Sequence, residues 1–199
     1  MNPLKQENKL INIPLETEVF SYQHILDSEN NKSAIQNFLI SQNSGKGLEN
    51  YLKYTSIPDE EDNSARTYLV NDKKNGEIAA YFTLKSGLFT VKAAENYFYT
   101  IPSIELADFA VNADYRKHNP QIENLGTTVF NEFVLPLSKS IQTLLGVQAL
   151  YIFALPEDKL IRHYKTMGFN RLEQVEENFV HSHVKPKYDD TCIFMYQIL

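Results

Sequence analysis

The stretch that decides the fold is Ser103-Ile-Glu-Leu-Ala-Asp-Phe-Ala-Val111. It runs on through Asn112-Ala-Asp-Tyr-Arg-Lys-His-Asn-Pro-Gln-Ile-Glu-Asn-Leu-Gly126 into a long apolar-periodic segment ending at Leu145. Ile104 to Val111 is apolar apart from Glu105 and Asp108, the composition of a strand covered on both faces. The period then changes. Leu125, Val129, Phe133, Leu137, Ile141 and Leu144 recur at helical spacing. Pro136 falls inside that run and predicts a bend or break, and Gly146 suits its end. Strand, loop and helix together point the unpaired N–H groups of a first helical turn at the loop, a common way to hold phosphate. Gly126 permits close backbone approach. No Gly-x-Gly-x-x-Gly and no Gly-Lys-Ser/Thr occurs, so a dinucleotide fingerprint and a nucleotide P-loop are both absent. The competing reading is an ordinary crossover with a glycine near a helix start.

Upstream, Met1 to Glu16 contains a candidate edge strand at Leu10 to Leu15, with Pro14 arguing against a central position. Phe20 to Leu26 gives a mixed signal. Ser33 to Ser41 and Leu48 to Tyr54 carry helical apolar stripes, and Pro58 to Ser64 reads as an exposed acidic loop. Arg66 to Val70 and Glu77 to Leu84 form a hairpin across Asn75-Gly76. Ser86 to Asn96 reads as a loop or linking helix, and Phe98 to Pro102 leads into the central strand. Downstream, Leu150 to Ala154 is a short strand. Leu160, Ile161, Tyr164 and Met167 share a helical face that Gly168 closes. Phe169 to Leu172 is a second short strand, Gln174 to Tyr188 is irregular, and Thr191 to Leu199 is the terminal strand. Helices between strands predict a mixed α/β layer structure, and no repeat or linker demands two domains.

Composition narrows the function classes. The 199 residues suffice for one substantial core, and 19 lysines and arginines against 25 acids leave a net charge of −6. That balance argues against a broad nucleic-acid surface, though not against a local basic patch. Cys192 is the single cysteine, so no internal disulfide forms. No stretch approaches a membrane span, and Met1 to Lys9 lacks a signal-peptide apolar region. A soluble, reducing, cytoplasmic setting is the expectation. His181 and His183, with Asp189, Asp190 and Cys192 nearby, match no metal-ligand spacing, so no metal is expected. Cys192 lies in an apolar strand with no cue for an activating base.

The order of elements from Thr67 to Leu199 resembles the Gcn5-related N-acetyltransferase (GNAT) superfamily. Its most specific segment is His163-Tyr-Lys-Thr-Met-Gly-Phe169, similar to the family's tyrosine and Gly-Phe signature. The resemblance implies a mixed, mostly antiparallel central sheet flanked by helices, with acetyl-CoA as donor. Residues 1–63 would then supply acceptor-side elements of a single domain. One departure concerns the pyrophosphate loop. The family pattern is Arg or Gln, two residues, Gly, one residue, then Gly or Ala. Here Gly126 fits the last position, Asn124 stands where the earlier glycine is expected, and Arg116 lies too far upstream.

By the same resemblance, Phe109, Ala110 and Val111 would offer backbone to pantetheine. The pyrophosphate would lie against the segment from Asn124, through Leu125, Gly126 and Thr127, to Thr128. Tyr164 would protonate the departing thiolate, against the alternative of a core tyrosine. Glu105 is the candidate base and Asp108 its competitor. Strict strand alternation places those two on opposite faces, Glu105 with Phe109 and Val111, Asp108 with Ile104, Leu106 and Ala110. The expected reaction is direct attack of a primary amine on the acetyl group. Net charge favours a small cationic or peptide amine over aminoacyl-tRNA. A homodimer is compatible with this reading. The alternative function is a non-catalytic acyl-CoA-binding or protein-interaction module on the same scaffold.

Overall fold

The computed structural model describes residues 16–94, 97–183 and 191–199. Strands β1 (Phe20–His24), β2 (Arg66–Asp72), β3 (Ile78–Ala94), β4 (Tyr97–Val111), β5 (Ala149–Ala154), β6 (Asn170–Arg171) and β7 (Ile193–Ile198) form one sheet. Its order is β1-β2-β3-β4-β5-β7-β6. Every neighbouring pair is antiparallel except β4 with β5, which is parallel. The β2–β3 hairpin turns where Asn75-Gly76 predicts. Gly76 has φ +74°, which glycine adopts without a Cβ clash, and its N–H bonds to the Asp72 carbonyl at 2.7 Å.

The helices are α1 (Asn31–Ala34), α2 (Lys46–Asn50), α3 (Ser56–Glu61), α4 (Ala113–His118), α5 (Leu125–Val129), α6 (Leu135–Leu144), α7 (Asp158–Thr166) and α8 (Gln174–His183). One face of the sheet packs against α5 to α7. There Phe82, Leu106, Leu150 and Ile152 meet Val129, Phe130, Phe133 and Phe169. The opposite face carries two clusters. Leu69 and Tyr81 pack under Ile35, Phe38 and Leu52 of the N-terminal helices, and Phe89, Tyr151 and Phe194 pack under Val180 of α8.

Several expectations need correction. Of the segment Ser86 to Asn96, the part to Ala94 is strand rather than loop or helix, and 95–96 lie outside the described residues. β3 continues to Ala94 and pairs with β4 along nearly its whole length, because Phe89 and Val91 find a third apolar cluster. Pro58 to Ser64 is not simply an exposed loop, since α3 runs to Glu61. Glu60 is buried there, binding His24 Nε2 and Arg66 Nη1 at 3.0 Å each, together with the Thr67 N–H. Gln174 to His183 is helix rather than irregular chain, and 184–190 lie outside the described residues. The helix expected over Ser33 to Ser41 is only two short turns, ending at Asn37. Pro136 does not end its helix. A π-helical turn at Phe130–Val134 precedes it and the run continues to Leu144, so the widened turn takes up the proline's missing donor and ring. The candidate N-terminal edge strand at Leu10 to Leu15 lies outside the described residues, and Glu16 just after it forms an isolated bridge to Ser21.

Candidate active site

The site begins where two strands part. β4 and β5 pair only at Ser103 with Ala149, Ile104 with Leu150 and Glu105 with Tyr151. Beyond Glu105, β4 continues to Val111 paired with β3 but no longer with β5, which runs on beside β7. The backbone of Phe109, Ala110 and Val111 therefore faces a wedge instead of a neighbouring strand on that side.

A bulge in β4 sets which side chains line the wedge. Asp108 pairs with Thr83, but Leu106 pairs with Leu84, so Ala107 is an extra residue on β4. The bulge reverses the alternation after Leu106. Ile104, Leu106, Phe109 and Val111 all pack on the α5–α7 face, whereas Ala110 packs under the N-terminal helices. The expectation that Glu105 and Asp108 lie on opposite faces is thus wrong. Glu105 stands across from Lys85 and Asp108 across from Thr83, two residues apart along β3 and on the same side.

That shared face carries a row of polar groups. Tyr151 donates its hydroxyl to Glu105 Oε2 at 3.3 Å. Lys85 Nζ and the Tyr51 hydroxyl both reach Asp59 Oδ2 at 3.1 Å, and Thr67 Oγ1 lies 3.0 Å from Thr83 Oγ1. Asp108 is 1% exposed. Burial, followed by the charges of Asp108 and Asp59, pushes the Tyr51 hydroxyl well above its ordinary pKa. Burial and Glu105 do the same to Tyr151. Both phenols are held in the protonated, donating form. Tyr51, Asp59, Lys85 and Tyr151 were not singled out from the sequence. Tyr151 carried a usable signal, since it alternates with Leu150 and Ile152 in a short apolar strand.

On the opposite face the loop after β4 is organised by α4. Asn112 caps it, accepting the Asp114 N–H at 3.1 Å and donating to the Ile78 carbonyl at 2.8 Å. Buried Tyr115 anchors it through a 2.6 Å bond to Asp72. Arg116, Lys117 and His118 are exposed. The chain re-enters helix after Asn124, which has φ +51° and ψ +34°. Asparagine is among the few residues that enter this left-handed region readily, so it serves where the sequence pattern expected glycine. The helical run from 125 to 144 then presents the first-turn amides of Leu125, Gly126 and Thr127, for which a helix supplies no internal acceptor. A Cβ on Gly126 would lie 3.5 Å from His163 Nε2 and 3.8 Å from Val111 Cγ2. The helix start, the end of β4 and α7 therefore converge at Gly126. Those amides are the kind of donors that a phosphate-bearing group takes.

Tyr164 follows His163 on α7. It is buried beside Phe169, ring centroids 5.7 Å apart, and belongs to the main apolar cluster. Burial pushes its hydroxyl up to about 12. Away from this site, His181 lies 3.7 Å from Glu177, His183 is exposed and Cys192 is buried. Asp189 and Asp190 lie outside the described residues. Among the described residues no group of three or more His, Cys, Asp or Glu is placed to hold a metal ion. No helix among them is long and apolar enough to cross a membrane.

A sheet with one splayed parallel pair, a bulged central strand and a helix starting over the splay is the fold of the Gcn5-related N-acetyltransferases. Comparison with solved structures gives the same result. AtaTR bound with acetyl-CoA is 16% identical over 92% of this chain and 94% of that one, with a TM-score of 0.60. A tyrosine-to-phenylalanine mutant of KacT is 15% identical over 91% and 95%, with a TM-score of 0.66. AtaT complexed with acetyl-methionyl-tRNAfMet is 17% identical over 79% and 91%, with a TM-score of 0.62. No family model matches the chain. No curated protein matches it in sequence.

Proposed function

We propose that this protein is an acetyl-CoA-dependent N-acetyltransferase acting on a primary amine. The observation that carries the reading is the parting of β4 from β5. It exposes the Phe109–Val111 backbone between a helix amino terminus on one side and two carboxylates on the other. Acetyl-CoA would supply the activated acetyl thioester. Phe109 and Val111 offer backbone hydrogen bonds to its pantetheine arm, and Asn124 to Thr128 surround its pyrophosphate with amides. Glu105 receives the proton of the attacking amine, with Asp108 beside it on the same face as the alternative acceptor. Tyr164 holds a proton at its hydroxyl for the departing sulfur, and the upward shift of that hydroxyl keeps it protonated at neutral pH.

For the acceptor, aminoacyl-tRNA replaces the small cationic amine favoured by net charge. The support is likeness of fold to AtaT, a toxin seen with acetyl-methionyl-tRNAfMet and, elsewhere, with part of the antitoxin AtaR. An α-amino group next to an ester is less basic than a lysine side chain, so a carboxylate base suffices to deprotonate it. A protein antitoxin is the corresponding partner. The test is calorimetry with acetyl-CoA, followed by acetylation assays on charged tRNAs and on a panel of small amines. Saturable acetyl-CoA binding with transfer to charged tRNA is expected. Binding without transfer to any amine would leave an acyl-CoA-binding module, and no binding at millimolar acetyl-CoA would overturn the cofactor reading.

A further inference from the structure

We infer that Tyr151 is a positioning residue for Glu105, seated by a notch that Gly87 leaves in β3. The inference rests on the reading of Glu105 as the base and extends it to two residues with no role in that reading.

Gly87 sits inside a long strand, where glycine weakens pairing and supplies no packing. Its backbone is not in the left-handed region, so conformation does not call for it. Space does. A Cβ at this position would overlap the Tyr151 hydroxyl and come within 2.7 Å of Cε1 and 2.9 Å of Cζ. The ring has no room to withdraw. It is 3% exposed, with Phe89, Phe153 and Phe194 centroids at 5.9, 6.1 and 5.5 Å. Among those phenylalanines the hydroxyl adds nothing to packing, and burying it costs free energy unless it is hydrogen-bonded. Its partner is Glu105 Oε2. Tyr151 thus spans from β5 across β4 to β3, and its hydroxyl sets the rotation of the carboxylate that faces the acceptor side. A hydroxyl donating to a carboxylate also favours the ionised form.

Among the described residues, these are the other charged or titratable groups near Glu105. Lys85 lies across from it on β3 and is bound to Asp59 of α3, which also holds Tyr51. Asp108 follows it along β4. On α8, Glu177 is paired with both Arg171 and His181.

The experiment compares wild type, Tyr151→Phe, Gly87→Ala, Glu105→Gln and Tyr151→Phe in the Glu105→Gln background, with thermal melts as the folding check. Carbon-13 NMR follows titration of the Glu105 side-chain carboxyl, assigned by its absence from Glu105→Gln. Both Tyr151→Phe and Gly87→Ala should raise its midpoint by about one pH unit, as loss of a charge-assisted hydrogen bond requires. Each should lower kcat for the amine by roughly tenfold or more while leaving acetyl-CoA affinity within about twofold. In the Glu105→Gln background, Tyr151→Phe should cost nothing further. An unmoved midpoint in Tyr151→Phe overturns the proposal, and so does an undiminished kcat loss in the Glu105→Gln background, which would mark Tyr151 as structural. Wild-type inactivity toward every amine would overturn the acetyltransferase reading instead, and the carboxyl titration would then decide the Gly87–Tyr151–Glu105 arrangement by itself.

Discussion

In the proposed reaction Tyr164 and Asn124 serve the cofactor side in different ways, and each yields a measurement. Tyr164 is buried against Phe169, so Tyr164→Phe keeps the ring packing and removes only the hydroxyl. The expected result is a fall in kcat of about 10²–10⁴-fold with acetyl-CoA affinity unchanged, the size of a general-acid contribution. Equal turnover in a folded variant would return Tyr164 to a purely core role. Asn124 contributes backbone conformation. At φ +51° a β-branched side chain clashes where asparagine does not. Asn124→Val should cost about 1–2 kcal/mol of stability and weaken acetyl-CoA binding, whereas Asn124→Gly should preserve both. Denaturant melts paired with calorimetry separate these outcomes. The loop thus departs from the family's sequence pattern while the conformation glycine would allow is still present.

Among the elements, the bulged β4 and the helical arm at 46–61 do the positioning. Deleting Ala107 would remove the bulge and restore regular alternation with Asp108, Phe109, Ala110 and Val111 each on its present face, because Ala107 is the one residue there without a counterpart on β3. The apolar pair Phe109 and Val111 would stay against the core, so the deletion variant should still melt cooperatively and close to wild type in a circular-dichroism scan, and a melt far below wild type would show that the bulge itself is needed for packing. The helical arm is tied to the chain after Phe38 by Glu49, which accepts the Ile40 N–H at 2.8 Å and binds Lys46 and Lys53. Burial by itself would raise the Glu49 pKa. The hydrogen bonds from Lys46, Ile40 and Lys53 outweigh burial and hold it at about 2, against 4.5 for the free group. A depressed folded-state value means the stabilisation is present above about pH 4.5 and is lost as pH falls toward 2. Glu49→Gln should therefore be less stable than wild type at pH 7 by roughly 1–3 kcal/mol, with the gap closing across that acid window.

At the scale of the whole molecule, charge and acceptor have to be reconciled. A net charge of −6 repels RNA at long range, yet affinity for RNA is set by local phosphate contacts with lysine and arginine. If charged tRNA is the acceptor, its KM should rise steeply with salt, by about tenfold between 50 and 200 mM for two phosphate contacts. Acetyl-CoA hydrolysis without acceptor should respond far less. A KM for charged tRNA indifferent to salt would count against a phosphate-binding groove and favour a free amine.

The sequence alone determined the features that depend on local period and turn chemistry. These were the β2–β3 hairpin at Asn75-Gly76, the apolar β4 with its two acids, the helix from Leu125 and the Tyr164 helix closed by Gly168. Each is set within a few residues by side-chain spacing and by which residues tolerate positive φ, so it can be read without knowing what lies across the core. Tertiary structure decided the rest. Whether Glu105 and Asp108 share a face turns on one extra residue, Ala107, and a bulge is defined by the register of the partner strand rather than by its own sequence. β3 runs on through Ser86 to Ala94 because Phe89 and Val91 meet Phe194 and Val180 from distant parts of the chain. Gly87 shows the same dependence most plainly. In sequence it is a strand-weakening glycine, and its purpose emerges only where Tyr151, from 64 residues further along, lays its hydroxyl over it.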